Sequence, residues 1–185
     1  MDSEELIEKI KNLTIWKNGD QRAPHKPLLI LYALGQIQNK GTRFIRYDEA
    51  RQPLTDLLKE FGPYRKTYRP EHPFVRLSHD GIWTISSNVK EEDITNSKLI
   101  RNNIYGGFTD EVYKLLRSNP VLIRQIAEII LENHFPETIH EDILSAVGLD
   151  LENLEQKQKV KIYTSEKIRD SNFREKILRA YEYSC

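Results

Sequence analysis

The sequence contains a single cysteine, Cys185, which is the last of its 185 residues. One thiol forms neither an internal disulfide nor a CxxC site, so redox and metal sites of that kind are excluded. The longest uncharged apolar run, residues 27–38, is too short to span a bilayer. The N-terminus opens on acidic residues rather than on a secretory signal. We therefore expect a cytoplasmic protein with no membrane partner.

The chain also lacks a net charge, because 28 basic residues balance 28 acidic ones. The balance hides an asymmetry: residues 16–79 hold twelve Lys and Arg against six Asp and Glu, whereas residues 109–156 hold three against ten. One part of the chain can therefore present a positive face to an anionic partner. The alternative is that both segments are ordinary solvated surface.

Motifs of catalysis are missing as well. The sequence has no Walker loop, no GxGxxG, no HExxH and no serine in a nucleophile elbow. We predict that this chain is not itself an enzyme and that it holds no catalytic residue, no metal site and no cofactor.

Apolar residues at helical spacing predict a mostly helical fold. Helices are expected over residues 3–13, 27–39, 48–61, 97–103, 109–118, 120–133 and 138–147. The second of these is apolar on nearly all sides and should be the central buried helix. Alternating residues on either side of Asp80-Gly81 predict a β-hairpin from residues 74–77 and 82–85.

The fold class is therefore mostly α with a small β-hairpin (α+β). We expect one compact helical domain over residues 1–150, a linker over 151–164 and a helix over 165–185.

Two segments suit an anionic ligand. Residues 22–27, RAPHKP, place Arg22, His25 and Lys26 immediately before the central helix, whose free backbone N–H groups and dipole favour an anion. Residues 64–76 alternate basic and aromatic side chains, a composition that can follow a phosphate backbone. The alternatives are an ordinary helix start and an ordinary loop leading into the hairpin.

Four motifs occur in an order that resembles a known family. They are RAPHKPLLILYALG (22–35), PEHPFVRLSHDGIW (70–83), YGGF (105–108) and HFPETIHEDIL (134–144). Together they resemble the sulfur-binding domain of type IV restriction endonucleases that recognise phosphorothioate-modified DNA. The resemblance covers about residues 1–150.

The resemblance implies a sulfur pocket. A phosphorothioate replaces one non-bridging phosphate oxygen by sulfur, which is larger, softer and a poorer hydrogen-bond acceptor. Burial against an apolar wall costs the sulfur atom little free energy. The same wall removes water from a phosphate oxygen without replacing the hydrogen bonds that the water made. The family builds this wall from a proline and an adjacent aromatic ring, which correspond to Pro73 and His72. The usual aromatic residue is tyrosine, so His72 departs from the pattern: a neutral imidazole offers a flat wall, and a protonated one offers a charge.

Basic and flexible residues around the pocket are expected to contact the rest of the DNA. The predicted DNA-binding residues are Arg22, His25, Lys26, Arg69, Arg76, Lys98, Arg101, Gly106 and Gly107. The two glycines permit a close backbone approach. The expected partner is double-stranded DNA carrying phosphorothioate linkages; the preferred bases, the sulfur stereochemistry and a homodimer remain open.

The C-terminal sequence FREKILRAYEYSC (173–185) resembles the start of an HNH nuclease domain. This implies that the chain is a recognition domain that targets an attached nuclease to modified DNA, with a divalent metal only in the nuclease. The alternative is a general sequence-specific DNA-binding or regulatory module with a winged-helix-like hairpin, indifferent to sulfur.

Overall fold

The computed structural model describes residues 1–15, 17–18 and 21–154, of which 17, 18, 21 and 22 are described by their backbone alone. The chain divides into two compact units, Met1–Asp150 and Leu151–Cys185. In the second unit only residues 151–154 are described, and they are helical although a linker was predicted there. The rest of that linker and the HNH-like helix lie outside the described residues. None of the helices in the described part of the chain is long and apolar enough to cross a membrane.

The described part of the first unit contains eight α-helices. They are α1 (Ser3–Lys11), α2 (His25–Lys40), α3 (Tyr47–Phe61), α4 (Glu71–Arg76), α5 (Asn96–Arg101), α6 (Asp110–Ser118), α7 (Pro120–His134) and α8 (His140–Val147). Short 3₁₀ helices cover Leu77–Asp80, Glu91–Asp93 and Glu137–Ile139. The prediction of a mostly helical fold with a small β part is confirmed.

The central buried helix is α2, as its composition predicts. It packs against α3, α4, α7 and α8. Leu29, Ile30, Leu31 and Leu34 are almost completely buried, which is why apolar residues follow one another without a polar face. The helix ends at Gly41, whose φ of 65° is a left-handed conformation that glycine adopts without strain.

The β structure differs from the predicted hairpin. Residues 74–77 belong to α4 and to the start of the following 3₁₀ helix, not to a strand. Gly81 does turn the chain, with φ of 73°, but it ends the 3₁₀ helix instead of joining two strands. The strand after it, β4 (Trp83–Ile85), pairs with a segment twenty residues further along.

That segment is β5 (Tyr105–Phe108), the central strand of a three-stranded antiparallel sheet of order β3-β5-β4, in which β3 is Phe44–Arg46. Two further strands, β1 (Lys17–Asn18) and β2 (Gln21–Arg22), form a separate antiparallel pair. The glycines of β5 concealed the central strand in the sequence, because glycine has a low strand propensity.

A chain of edge-to-face aromatic rings fixes α4 against the sheet. The ring centroids of Tyr47 and Phe74 are 5.0 Å apart, those of Phe74 and Trp83 5.8 Å, and those of Trp83 and Phe108 5.6 Å. All four side chains are buried, and such pairs prefer this geometry. The residues on either side of Phe74 are therefore held in a defined position.

Candidate nucleic-acid interface

A cavity of about 740 Å³ opens where the start of α2 meets α4. Its walls come from the segment after α1, the first turn of α2, the loop between α3 and α4, α4 itself and the following 3₁₀ helix. The lining residues are Thr14, Ile15, Ala23, His25, Lys26, Arg65, Thr67, Arg69, His72, Pro73, Arg76 and His79. The structure thus brings together the two segments that the sequence marked as anion-binding.

The first turn of α2 forms one side of the cavity. Pro24 is the residue before the helix, and no side chain caps the helix start in the described part of the chain. The backbone N–H groups of His25 and Lys26 belong to the first turn, where a helix has no internal acceptors, and Pro27 has no N–H to offer. A 16-residue helix also directs the positive end of its dipole to this point. This side of the cavity therefore suits a phosphate anion.

The opposite side is α4, which carries His72 and Pro73. Pro73 is buried and still contributes to the lining, and His72 is partly exposed. They are the second and third residues of α4, where proline costs the helix no hydrogen bond. The next residue, Phe74, belongs to the aromatic chain, so the proline ring faces the cavity from a rigid support.

Burial and neighbouring cations lower the pKa of His72 and favour its neutral form. Desolvation is the largest cause that lowers the pKa of His72, and Arg76 and Arg69 lower it further against an opposing effect of Glu71. Its Nδ1 atom is buried without a hydrogen-bond partner among the described residues. Of the two possibilities that the sequence left open, the structure therefore favours the flat neutral imidazole.

His25 behaves similarly. Burial is the main cause that lowers its pKa, followed by the charges of Arg65 and of His72. A charge on His72 thus opposes the protonation of His25 inside the same cavity.

Several cations surround these apolar and neutral groups. The Lys26 ammonium lies 2.5 Å from a carboxylate oxygen of Asp80. Arg76 is paired with Glu91. Arg65 and Arg69, in the exposed loop before α4, form no ion pair with the other described residues. The two loop arginines are therefore more available to a phosphate, because the charges of Lys26 and Arg76 in the cavity walls are partly neutralised by their carboxylate partners.

A known protein family matches most of this sequence. The sequence profile described as "ScoMcrA-like, DNA sulfur-binding domain" matches residues 3–152. The chain belongs to this family. The resemblance noted in the four sequence motifs is therefore confirmed.

Solved structures agree on the fold of this sulfur-binding domain. The sulfur binding domain of ScoMcrA complexed with phosphorothioated DNA matches with a TM-score of 0.66 at 20% identity, over 80% of this chain and 96% of that chain. The corresponding domain of SprMcrA, in the same kind of complex, gives 0.67 at 21% identity, over 80% and 95%. The type IV phosphorothioation-dependent restriction endonuclease ScoMcrA gives 0.66 at 21%, over 80% of this chain but 32% of that chain. No significant match was found among proteins of curated function.

Part of the predicted site lies in the cavity of this sulfur-binding domain. His25, Lys26, Arg69, His72, Pro73 and Arg76 all line it. Arg76 does so from the end of α4 and not from a hairpin. Arg22 ends β2, three residues before α2, and its side chain lies outside the described residues.

Four predicted DNA-binding residues do not line the cavity. Lys98 and Arg101 lie on α5, where Lys98 is paired with Asp93 and Arg101 is exposed. Gly106 and Gly107 are buried in the central strand β5 and lie away from the cavity, so DNA contact at these glycines stays a prediction. The close approach is made by the protein itself, as a Cβ on Gly107 would lie 2.1 Å from the Arg43 carbonyl oxygen.

Sequence reasoning missed other lining residues, chiefly Thr14, Ile15, Thr67 and His79. Thr14 reaches the cavity because its N–H donates to Asp80, 66 residues away. No local pattern signals such a contact. Arg65 lies in the basic and aromatic segment of residues 64–76, and the composition of that segment was a signal that could have identified it.

Proposed function

We propose that this domain binds double-stranded DNA carrying a phosphorothioate linkage and that the sulfur enters the cavity between α2 and α4. The observation that carries the proposal is the meeting of His72 and Pro73 with His25 and Lys26 around one cavity. Family membership and the fold shared with domains described in complex with phosphorothioated DNA support it.

The walls of the cavity supply the preference for sulfur. A proline ring and a neutral imidazole offer few hydrogen bonds to a phosphate oxygen, which would lose its water on entering. Sulfur is hydrated less strongly and loses less. A change of this size in an apolar pocket is worth about 1–3 kcal/mol, or roughly 10- to 200-fold in affinity.

The cations supply most of the binding strength. Arg65 and Arg69 are exposed beside the cavity and can follow the phosphates that flank the modified linkage. Each neutralised phosphate releases counter-ions, so affinity for every DNA falls as salt rises. Selectivity and strength therefore come from different residues.

The proposal also assigns the domain its place in a larger reaction. We infer that it recognises modified DNA for an attached HNH nuclease, which would contribute the catalytic residues and any divalent metal. Recognition as proposed uses a DNA duplex and no cofactor, and DNA as the ligand is consistent with a cytoplasmic location.

The alternative of a winged-helix-like module loses its structural support. It required a hairpin over residues 74–85 to act as the wing, and this segment forms α4, a 3₁₀ helix and one strand instead.

The test is a titration of the chain with matched duplexes that differ in one atom. Fluorescence anisotropy is measured with plain DNA and with each stereopure phosphorothioate at the same linkage, at several salt concentrations. We expect one diastereomer to bind about 10- to 200-fold more tightly than plain DNA, because a chiral site distinguishes the two. Equal affinities for all three duplexes would refute the proposal.

A further inference from the structure

The cavity contains a lysine whose charge is already partnered. The side chains of Lys26 and Asp80 are 12% and 4% exposed, so their ion pair is largely removed from solvent. Lys26 lines the cavity, whereas Asp80 is not among its described lining residues. Asp80 therefore acts on the cavity through Lys26.

Both oxygens of Asp80 are engaged. One accepts the Lys26 ammonium at 2.5 Å, and the other accepts the Thr14 backbone N–H at 2.8 Å. Asp80 is the last residue of the 3₁₀ helix that follows α4, where Gly81 ends the helix. The carboxylate thus ties Lys26, at the start of α2, to two other walls of the cavity.

We propose that Asp80 is a specificity-determining positioning residue: it neutralises and restrains Lys26, so that the cavity favours sulfur over oxygen. The inference rests on the proposed function and deepens it.

The reason is chemical. A free ammonium forms shorter and stronger charge-assisted hydrogen bonds with a phosphate oxygen than with the softer sulfur. It would strengthen the binding of plain DNA and oppose the preference for sulfur that the apolar walls create. Asp80 offsets that charge at short range in a site where water screens it weakly, so the walls decide which atom is preferred.

Asp80→Asn tests this directly. Asparagine keeps an oxygen that can accept the Thr14 N–H and removes the negative charge beside Lys26. We expect plain DNA to gain affinity and the sulfur preference to fall by about threefold or more, which corresponds to about 0.7 kcal/mol. The salt slope, which is the slope of the logarithm of the binding constant against the logarithm of salt concentration, should steepen by up to about 0.9, the value for one additional phosphate contact.

A structural role alone predicts a different result. Asp80→Asn would then weaken both DNAs equally, or leave both unchanged, with the sulfur preference intact, and either outcome overturns the inference. The matched control is Asp110→Asn, because Asp110 pairs with Arg43 and Lys114 and is not among the described lining residues. It should leave the preference at the wild-type value.

A second variant covers the case in which Asp80→Asn fails to fold. Lys26→Gln combined with Asp80→Asn replaces the ion pair by neutral groups of similar size. If Asp80 offsets the Lys26 charge, the double variant keeps a salt slope close to wild type. A slope lower by about 0.9 would show that Lys26 presents its full charge, and the inference would be wrong. Failure of the proposed function is distinct, since wild-type protein would then show no sulfur preference.

Discussion

His25 and His72 are two imidazoles that share one cavity and resist protonation. Burial is the first cause for both, and the nearby arginines are the second. At neutral pH both rings are therefore uncharged, and the His72 ring can serve as a wall. A histidine in place of the family's tyrosine keeps the flat surface and adds a dependence on pH.

We predict that the free energy of unfolding decreases as the pH is lowered from 7 to 5. Both pKa values lie below 6.5 in the folded chain, whereas the unfolded histidines titrate near 6.5, so the unfolded state binds more protons in this range. The stabilisation is fully present above the unfolded pKa and is lost as the pH falls through the folded values. Denaturant unfolding measured at several pH values tests this.

The double variant His25→Gln, His72→Gln is the control and should flatten that slope. Carboxylates contribute to the pH dependence of stability at lower pH, because Lys98 and Lys114 hold the pKa values of Asp93 and Asp110 below 3.8. Stability that is constant or rises towards pH 5 would contradict the assignment.

At the scale of elements, the segment around Asp80-Gly81 shows the limit of local patterns. Gly81 takes the left-handed conformation that a hairpin turn requires, but here it ends a 3₁₀ helix. Phe74 and Trp83 are both buried, as their apolar character predicts, but their rings meet edge to face between a helix and a strand. Short apolar runs fit either structure, so tertiary contacts decided the outcome.

The central strand β5 depends on two glycines for close packing. A Cβ on Gly106 would lie 2.8 Å from the Trp83 indole nitrogen, and one on Gly107 would lie 2.1 Å from the Arg43 carbonyl oxygen. A side chain can shift, whereas the carbonyl belongs to the chain entering β3. The sheet therefore tolerates a methyl group less well at Gly107 than at Gly106.

We predict that Gly106→Ala and Gly107→Ala both destabilise the fold, with Gly107→Ala the more severe. Overpacking of this kind costs about 1–3 kcal/mol, and Gly107→Ala should reach the upper end or exceed it. Denaturant unfolding measures the difference, with Thr84→Ala on β4, directly opposite Gly107, as the milder control. If either variant kept wild-type stability but lost DNA affinity, the glycines would be DNA contacts after all.

At the scale of the whole molecule, the charge asymmetry of the sequence corresponds to the position of the cavity. Ten of the twelve described lining residues lie between Ala23 and His79, inside the basic segment of residues 16–79, and Thr14 and Ile15 directly precede that segment. The acidic residues of 109–154 contribute none of them. The later helices instead support α2, which packs against α7 and α8.

The sequence predicted the core of the candidate site better than its edges. His25, Lys26, His72 and Pro73 stand in motifs with a defined order, so they were identifiable without coordinates. The Lys26–Asp80 pair joins residues 54 positions apart, and Thr14 approaches through the same carboxylate. Contacts of this range depend on how α2, α4 and the 3₁₀ helix pack, and no local spacing encodes them.

The most direct measurement of the central claim compares Pro73→Ala with Pro70→Ala in the titration with sulfur-bearing and plain DNA. Both prolines are buried at the start of α4, but only Pro73 is among the described residues that line the cavity. We predict that Pro73→Ala narrows the affinity gap between the two DNAs, while Pro70→Ala leaves the gap unchanged. If Pro73→Ala weakened both DNAs equally, or preserved the full gap, the cavity would not be the site that selects sulfur.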